Sequence, residues 1–296
     1  VLLIAEIGRF LIGLGSAFAY VSCLKVASLW LPAKSFGFAS CLLDSIGMGG
    51  AIFTEIVLVR MNVHMGHRIT LWFLFLLGAA IVVLISIFLK EAPRFAKIEK
   101  KRKRRETQEP ILQTLSTILS NKKVIIIGII GCLYYIPSSV IGDIWGMPYL
   151  ESVYHFSKSS ASLIMAAFFI GWAVFGPFIG MYSDKTQCRF KPIFVSLLVL
   201  TAITSLIVYL PMMTTATISL PLMIALFTII GMATGAHPLM FAMAKEYFPN
   251  RYAGTIVATT NMLIMLGGLI FQPLIGYLLD LSHGTKLNVY SHYNAH

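Results

Sequence analysis

Charged side chains are scarce in this chain, and the few that fall inside long apolar runs are the ones placed to do chemistry. Arg9, Lys25, Asp44 and Glu55 lie in the first two such runs, Asp143 in the fourth and His237 in the seventh. An ionised group at mid-bilayer costs roughly 2.5–3.5 kcal/mol on insertion scales, so each must be paired, hydrated in a cavity, or able to titrate. That set suits proton transfer and the binding of a polar solute. It does not suit bond-making: there is no His-Glu-x-x-His, no Gly-x-Ser-x-Gly and no paired aspartates in such a context, so no enzyme is expected. No cofactor or metal is expected either. Cys23, Cys41, Cys132 and Cys188 show no metal spacing, and three of them read as packing residues inside apolar runs.

Each candidate has two readings. Arg9 can couple to a solute anion or proton, or hold Glu55 in an ion pair. Lys25 can line a site or extend its ammonium to the near surface. Asp44 is mid-run, where protonatable carboxylates act as relays. Tyr135, Ser139 and Asp143 recur every four residues, roughly one helix face, with Pro137 and Gly142 loosening the helix among them. Asp143 can serve a site or be a solvated carboxylate near the surface. His237 precedes Pro238 and can titrate near neutral pH or bond, neutral, to a carbonyl freed by the proline. Asn261 can line the site or, like Gln272, bond a neighbouring helix.

The elements that must position these residues are membrane helices. Hydrophobic residues make up 57% of the chain and charged residues 12%, about half the charge of a soluble domain. Mean hydropathy is +0.82. Eight runs are long enough to span a bilayer, roughly 1–31, 35–60, 68–89, 123–150, 158–183, 191–211, 217–247 and 252–280. The alternating strands of a membrane barrel are absent, so the fold class is an all-α membrane protein. Residues 110–122 carry Ile111, Leu112, Leu115, Ile118 and Leu119 at helical spacing and predict an amphipathic helix lying on the membrane surface.

The net charge of +11 comes largely from one run, Lys97 to Arg105. Of the basic residues, 17 fall on one side of the predicted membrane and 4 on the other. The positive-inside rule then puts the run in the cytosol, as a linker, and removes nucleic acid as a partner. The expected organisation is 1–89 as the end of an N-terminal bundle of three spans, 90–122 as a basic cytosolic linker with its surface helix, and 123–296 as a C-terminal bundle of five spans. The expected setting is a bacterial inner (plasma) membrane.

A shift of 217 residues lays the first hairpin on the last. Pro32 meets Pro249, Gly37 meets Gly254, Met48 meets Met265, Gly50 meets Gly267, Asp44 meets Asn261, Glu55 meets Gln272 and Tyr20 meets His237. Related halves are a common plan in transporters. In the second copy, Arg9 and Lys25 are lost and the acids have become amides. With similar depths counted from the turn near Ala33, this predicts two ion pairs across the first hairpin, Lys25 with Asp44 and Arg9 with Glu55.

These residues resemble the major facilitator superfamily of secondary transporters. Arg9, Gly13 and Gly15 resemble the Arg–x3–Gly–x–Gly pattern of the family's fourth helix, and residues 66–75 (GHRITLWFLF) resemble the start of its sixth, with His67 in place of Trp. Gly180, Asp184, Lys185 and Arg189 resemble the cytosolic motif joining its eighth and ninth helices, with Gln187 where the motif has Gly. Residues 244–254 and 261–280 resemble its tenth-to-eleventh hairpin. The resemblance implies a 6+6 bundle of which this chain holds helices four to eleven, cut at both ends, with one cavity wall missing. It implies transport of a small polar solute (an organic anion, a dipeptide or similar) by alternating access, as symport or antiport, with protons as a candidate coupling ion. The expected partners are the lipid bilayer, the solute and protons. It assigns Gly180, Asp184, Lys185 and Arg189 to gating. A non-transporting fragment of a disrupted carrier is the alternative.

Overall fold

The computed structural model describes residues 2–88, 110–213, 218–249 and 252–282. The basic run Lys97–Arg105, most of the predicted linker and the tail from 283 lie outside the described residues. Among the described residues all regular structure is helical. Eight helical stretches are long and apolar enough to cross a membrane: Glu6–Ala27, Phe36–Met65, His67–Ile87, Lys122–Ser152, Lys158–Thr186, Phe190–Met213, Leu220–Lys245 and Ala253–Leu279. They coincide with the eight predicted spans and are called the first to eighth spans below.

Local chemistry sets several of their ends. The Asn121 side chain accepts the Lys123 N–H at 3.0 Å and starts the fourth span, and Ser157 Oγ accepts the Ser160 N–H at 3.2 Å and starts the fifth. Such caps satisfy orphan N–H groups at a helix start. Within the predicted 110–122 segment a helix forms at Ile111–Leu119, shorter than expected. Ile118 is buried against the bundle and Leu112 points outward.

Three spans are irregular. The second has a π-helical segment, Thr54–Leu58, and the fourth has one at Ser138–Trp145. The seventh consists of helices Leu220–Thr234 and Leu239–Lys245 with a turn between them, at Gly235–Pro238. Pro238 cannot donate to the ladder, and the chain turns there rather than bending smoothly. Each π segment leaves a carbonyl to a side chain of another span. Ser162 Oγ donates to the Glu55 carbonyl at 2.6 Å, and Gln272 Nε2 donates to the Ser139 carbonyl at 2.9 Å.

The fifth span is the packing centre, wedged between the second and the seventh; the eighth lies on the fourth, and the first on the second and eighth. Helices in lipid gain little from hydrophobicity and associate by close backbone approach. Gly231 shows this: a side chain there would overlap the carbonyl of Phe168 on the fifth span. The third span packs mainly against the short helix Val59–Met65 before it and leaves its apolar surface outward.

Candidate functional site

The breaks in the fourth and seventh spans lie beside a cluster inside the bundle. Asp44, half-buried on the second span, accepts a hydrogen bond from the Trp172 indole of the fifth span at 2.7 Å. His237, in the break of the seventh span, is 4% exposed, and its Nε2 is buried with no hydrogen-bond partner among the described residues. Its ring lies 5.4 Å from Tyr135 and 5.9 Å from Tyr134 of the fourth span, and 6.0 Å from Phe241 just past the break. Phe241 in turn meets Tyr20 of the first span at 5.5 Å. Tyr20 and His237, matched in the two halves by the 217-residue shift, thus touch the same ring.

Tyr134 holds the break in place by donating its hydroxyl to the Ala233 carbonyl. That bond is between neutral groups, and Ala233 also accepts the Ala236 N–H. Tyr134→Phe is therefore expected to cost about 1 kcal/mol, read as a small fall in the thermal midpoint with the fold retained.

The acidic mouth of the cluster is on the fourth span. The Asp143 side chain is exposed, with the Tyr135 hydroxyl facing its carboxylate and Gln272 Nε2 of the eighth span at 3.5 Å. Tyr135, Asp143 and His237 are therefore brought together, along with Ser139, buried on the fourth span, while Asp44 makes its hydrogen bond to the fifth span.

The remaining candidates sit elsewhere. Asp44 bonds Trp172 instead of Lys25, whose methylenes lie over Gly254 on the eighth span. Arg9 is exposed, while Glu55 Oε2 is buried without a hydrogen-bond partner among the described residues. The two expected ion pairs across the first hairpin are therefore not the contacts formed. Counting residues from the turn gives depth along a helix but not the direction a side chain faces, and the fifth and eighth spans take up the two sides. Asn261 is half-buried on the eighth span, and Gln272 is the amide that reaches the fourth.

A second constellation closes the lysine- and arginine-rich end. The Asp184 carboxylate, at the end of the fifth span, accepts the backbone N–H of Gly37 at 3.2 Å and of Phe38 at 2.6 Å. These belong to the first turn of helix Phe36–Phe53, whose own N-cap Ser35 makes no side-chain capping bond. An anion at that position meets orphan donors and the positive end of the helix dipole together. Arg189 is 5% exposed and pairs with Asp184 and, at 2.8 Å, with Glu246 just past the end of the seventh span. Burial pulls the Arg189 pKa down, but the bonds to Glu246 and Asp184 outweigh it and the net shift is upward, so the guanidinium stays charged.

Gly180 lets this closure form. A side chain there would come within 2.8 Å of the Phe38 Cα and 3.0 Å of the Gly37 carbonyl. Gln187 takes the left-handed conformation, φ 50°, that a glycine would supply, and its amide donates back to the Asp184 carbonyl. Lys185 is exposed.

The second and fifth spans are thus joined at one end by a charge lock and in the middle by the bond between Asp44 and Trp172. The family model of the Major Facilitator Superfamily matches residues 5–272. The chain belongs to the major facilitator superfamily. No curated protein matches it significantly. Members of this superfamily are secondary transporters, which fits an integral, multi-pass membrane protein that works on small molecules.

Sequence reasoning missed Trp172, Tyr134 and Glu246. Trp172 offered one signal: an indole N–H inside an apolar span needs an acceptor. Glu246 offered another, as an acid beside Lys245 at a span end. Neither signal names a partner.

Proposed function

We propose that this superfamily member moves a small polar solute by alternating access, with protons carried on Asp44 or Asp143 as the coupling ion. The bond between Asp44 and Trp172 is the observation that supports it most. It places a protonatable carboxylate across the two sets of spans, so that gaining or losing a proton alters a contact between moving parts. The titratable neighbours of Asp44 are Tyr20 of the first span, Cys41 of its own helix and Tyr135 of the fourth. Asp184, Arg189 and Glu246 act in this reading as the gate at the linker end, which faces the cytosol by its excess of lysine and arginine.

Proteoliposome uptake, run with and without a pH gradient, tests the reading. Asp44→Asn keeps an acceptor for the indole and removes the ionisable group. It is expected to lose gradient-driven accumulation by at least about tenfold, a loss of roughly 1.4 kcal/mol of coupling, while exchange without a gradient persists. Transport indifferent to pH in the wild type and unchanged in Asp44→Asn and Asp143→Asn would end the proton-coupling proposal.

A further inference from the structure

The mid-bundle cluster combines an acid with aromatic rings. Asp143 is exposed at its mouth, and a row of touching rings (Tyr135, His237, Phe241, Tyr20) runs from the fourth span through the seventh to the first. Among the described residues, His237 Nε2 is buried with no hydrogen-bond partner, and a neutral imidazole nitrogen of that kind can accept a bond. The donors near Asp143 are the Tyr135 hydroxyl and a Gln272 amide at 3.5 Å, both neutral. Arg9 is exposed on the first span, and Lys25 lies over Gly254 on the eighth.

A solute entering such a site meets negative charge and ring faces. Ring faces attract cations. A carboxylate brought to the same place would face Asp143 and be repelled, and a neutral solute would leave Asp143 without a counter-charge. Three features match one chemical group: a carboxylate for its charge, a tyrosine ring for its face, and an unpartnered imidazole nitrogen for its N–H.

We propose that Asp143, Tyr135 and His237 bind the ammonium group of the transported solute, which is therefore an amine or an amine-bearing zwitterion. This rests on the transport reading for its purpose, but it makes a claim about binding alone. In it, Asp143 holds the charge, Tyr135 presents its ring, and His237 Nε2 accepts one N–H. Gln272, anchored on the Ser139 carbonyl at 2.9 Å, keeps the fourth and eighth spans in register around the carboxylate.

The test is binding to the purified full chain in detergent, read as the shift of its thermal midpoint with ligand concentration. Three probes of similar size are compared: phenethylamine, 2-phenylethanol and phenylacetate. The amine is expected to raise the midpoint saturably at millimolar concentrations, and the alcohol and the acid to leave it in place. Asp143→Asn, close to isosteric, should weaken amine binding at least tenfold. Tyr135→Phe should keep most of the affinity because the ring remains, and Tyr135→Leu should lose it. The ligand-free midpoints of these variants check that each is folded.

Phenylacetate stabilising as well as the amine would overturn the proposal, as would wild-type amine affinity in Asp143→Asn or no response to the amine at all. Uptake assays separate this from the transport reading. Amine binding without uptake of any solute would sink transport and leave the site standing. Accumulation of an anion with no amine binding would do the reverse.

Discussion

Asp184→Asn is expected to open the lysine- and arginine-rich end of the bundle, and the native thiol of Cys41 should report it. Cys41 is fully buried on the second span, one turn beyond Gly37, and faces Gly180 of the fifth. With Cys23, Cys132 and Cys188 changed to Ser, it is the sole thiol left to label. The substitution removes the charge that bonds the Gly37 and Phe38 N–H groups and leaves Arg189, 5% exposed, with Glu246 as its charged partner and the Ser183 hydroxyl at 3.1 Å. Hydrogen bonds to a charged group contribute about 1.5–3 kcal/mol each. The open fraction, and with it the maleimide labelling rate of Cys41, should rise at least about tenfold, the factor that corresponds to 1.4 kcal/mol. Asp184→Glu should give an intermediate rate, since the charge is kept and the reach is changed. A labelling rate equal to wild type in Asp184→Asn would mean that the carboxylate does not hold this end shut.

The largest loss of stability is expected from Gly231→Ala. Its methyl group would overlap the Phe168 carbonyl and come within 3.0 Å of the Trp172 backbone nitrogen. Backbone atoms cannot rotate away as a side chain can, so the fifth and seventh spans must separate. Overpacking of a tight interior costs typically about 1–3 kcal/mol even where side chains absorb it, and here the upper part of that range or more is expected. The same shift would draw Trp172 from Asp44. The variant should therefore show both a lower thermal midpoint and a change in Trp172 fluorescence. Gly47→Ala, where a side chain meets open space, is the control and should leave both unchanged. Equal midpoints for the two variants would contradict the close approach.

The spans, the short helix Ile111–Leu119 and the family could be read from the sequence because each rests on a local property. A run of apolar residues must span, and Ile118 recurs on one face with its neighbours. The motif at the end of the fifth span was legible by resemblance, and its chemistry was partly legible from Asp184 beside basic neighbours. What the carboxylate holds, the start of helix Phe36–Phe53, was not, because the contact joins positions about 147 residues apart. Gln187 shows the opposite case: the departure from glycine leaves the turn intact, since Gln takes φ 50° and bonds back to the helix end.

Asp44 and His237 were identified from their cost in lipid, but their neighbours were not. Lys25 and Arg9 were at the right depth for ion pairs. Azimuth depends on which helices pack on either side, and Trp172 came from a span that sequence spacing cannot relate to the first hairpin. The π segments were legible only as Pro137 and Gly142; nothing in the residues Thr54–Leu58 signals one.

The most direct test of the central claim, that the chain works by opening and closing at the end held by Asp184, is a distance between its two sides in liposomes. Spin labels at Lys34, exposed before the second span, and Lys185, exposed at the end of the fifth, report it by pulsed electron resonance. Two distance populations are predicted, a shorter one dominant in the wild type and a longer one enriched in Asp184→Asn. A single distance, the same in both proteins, would contradict the account.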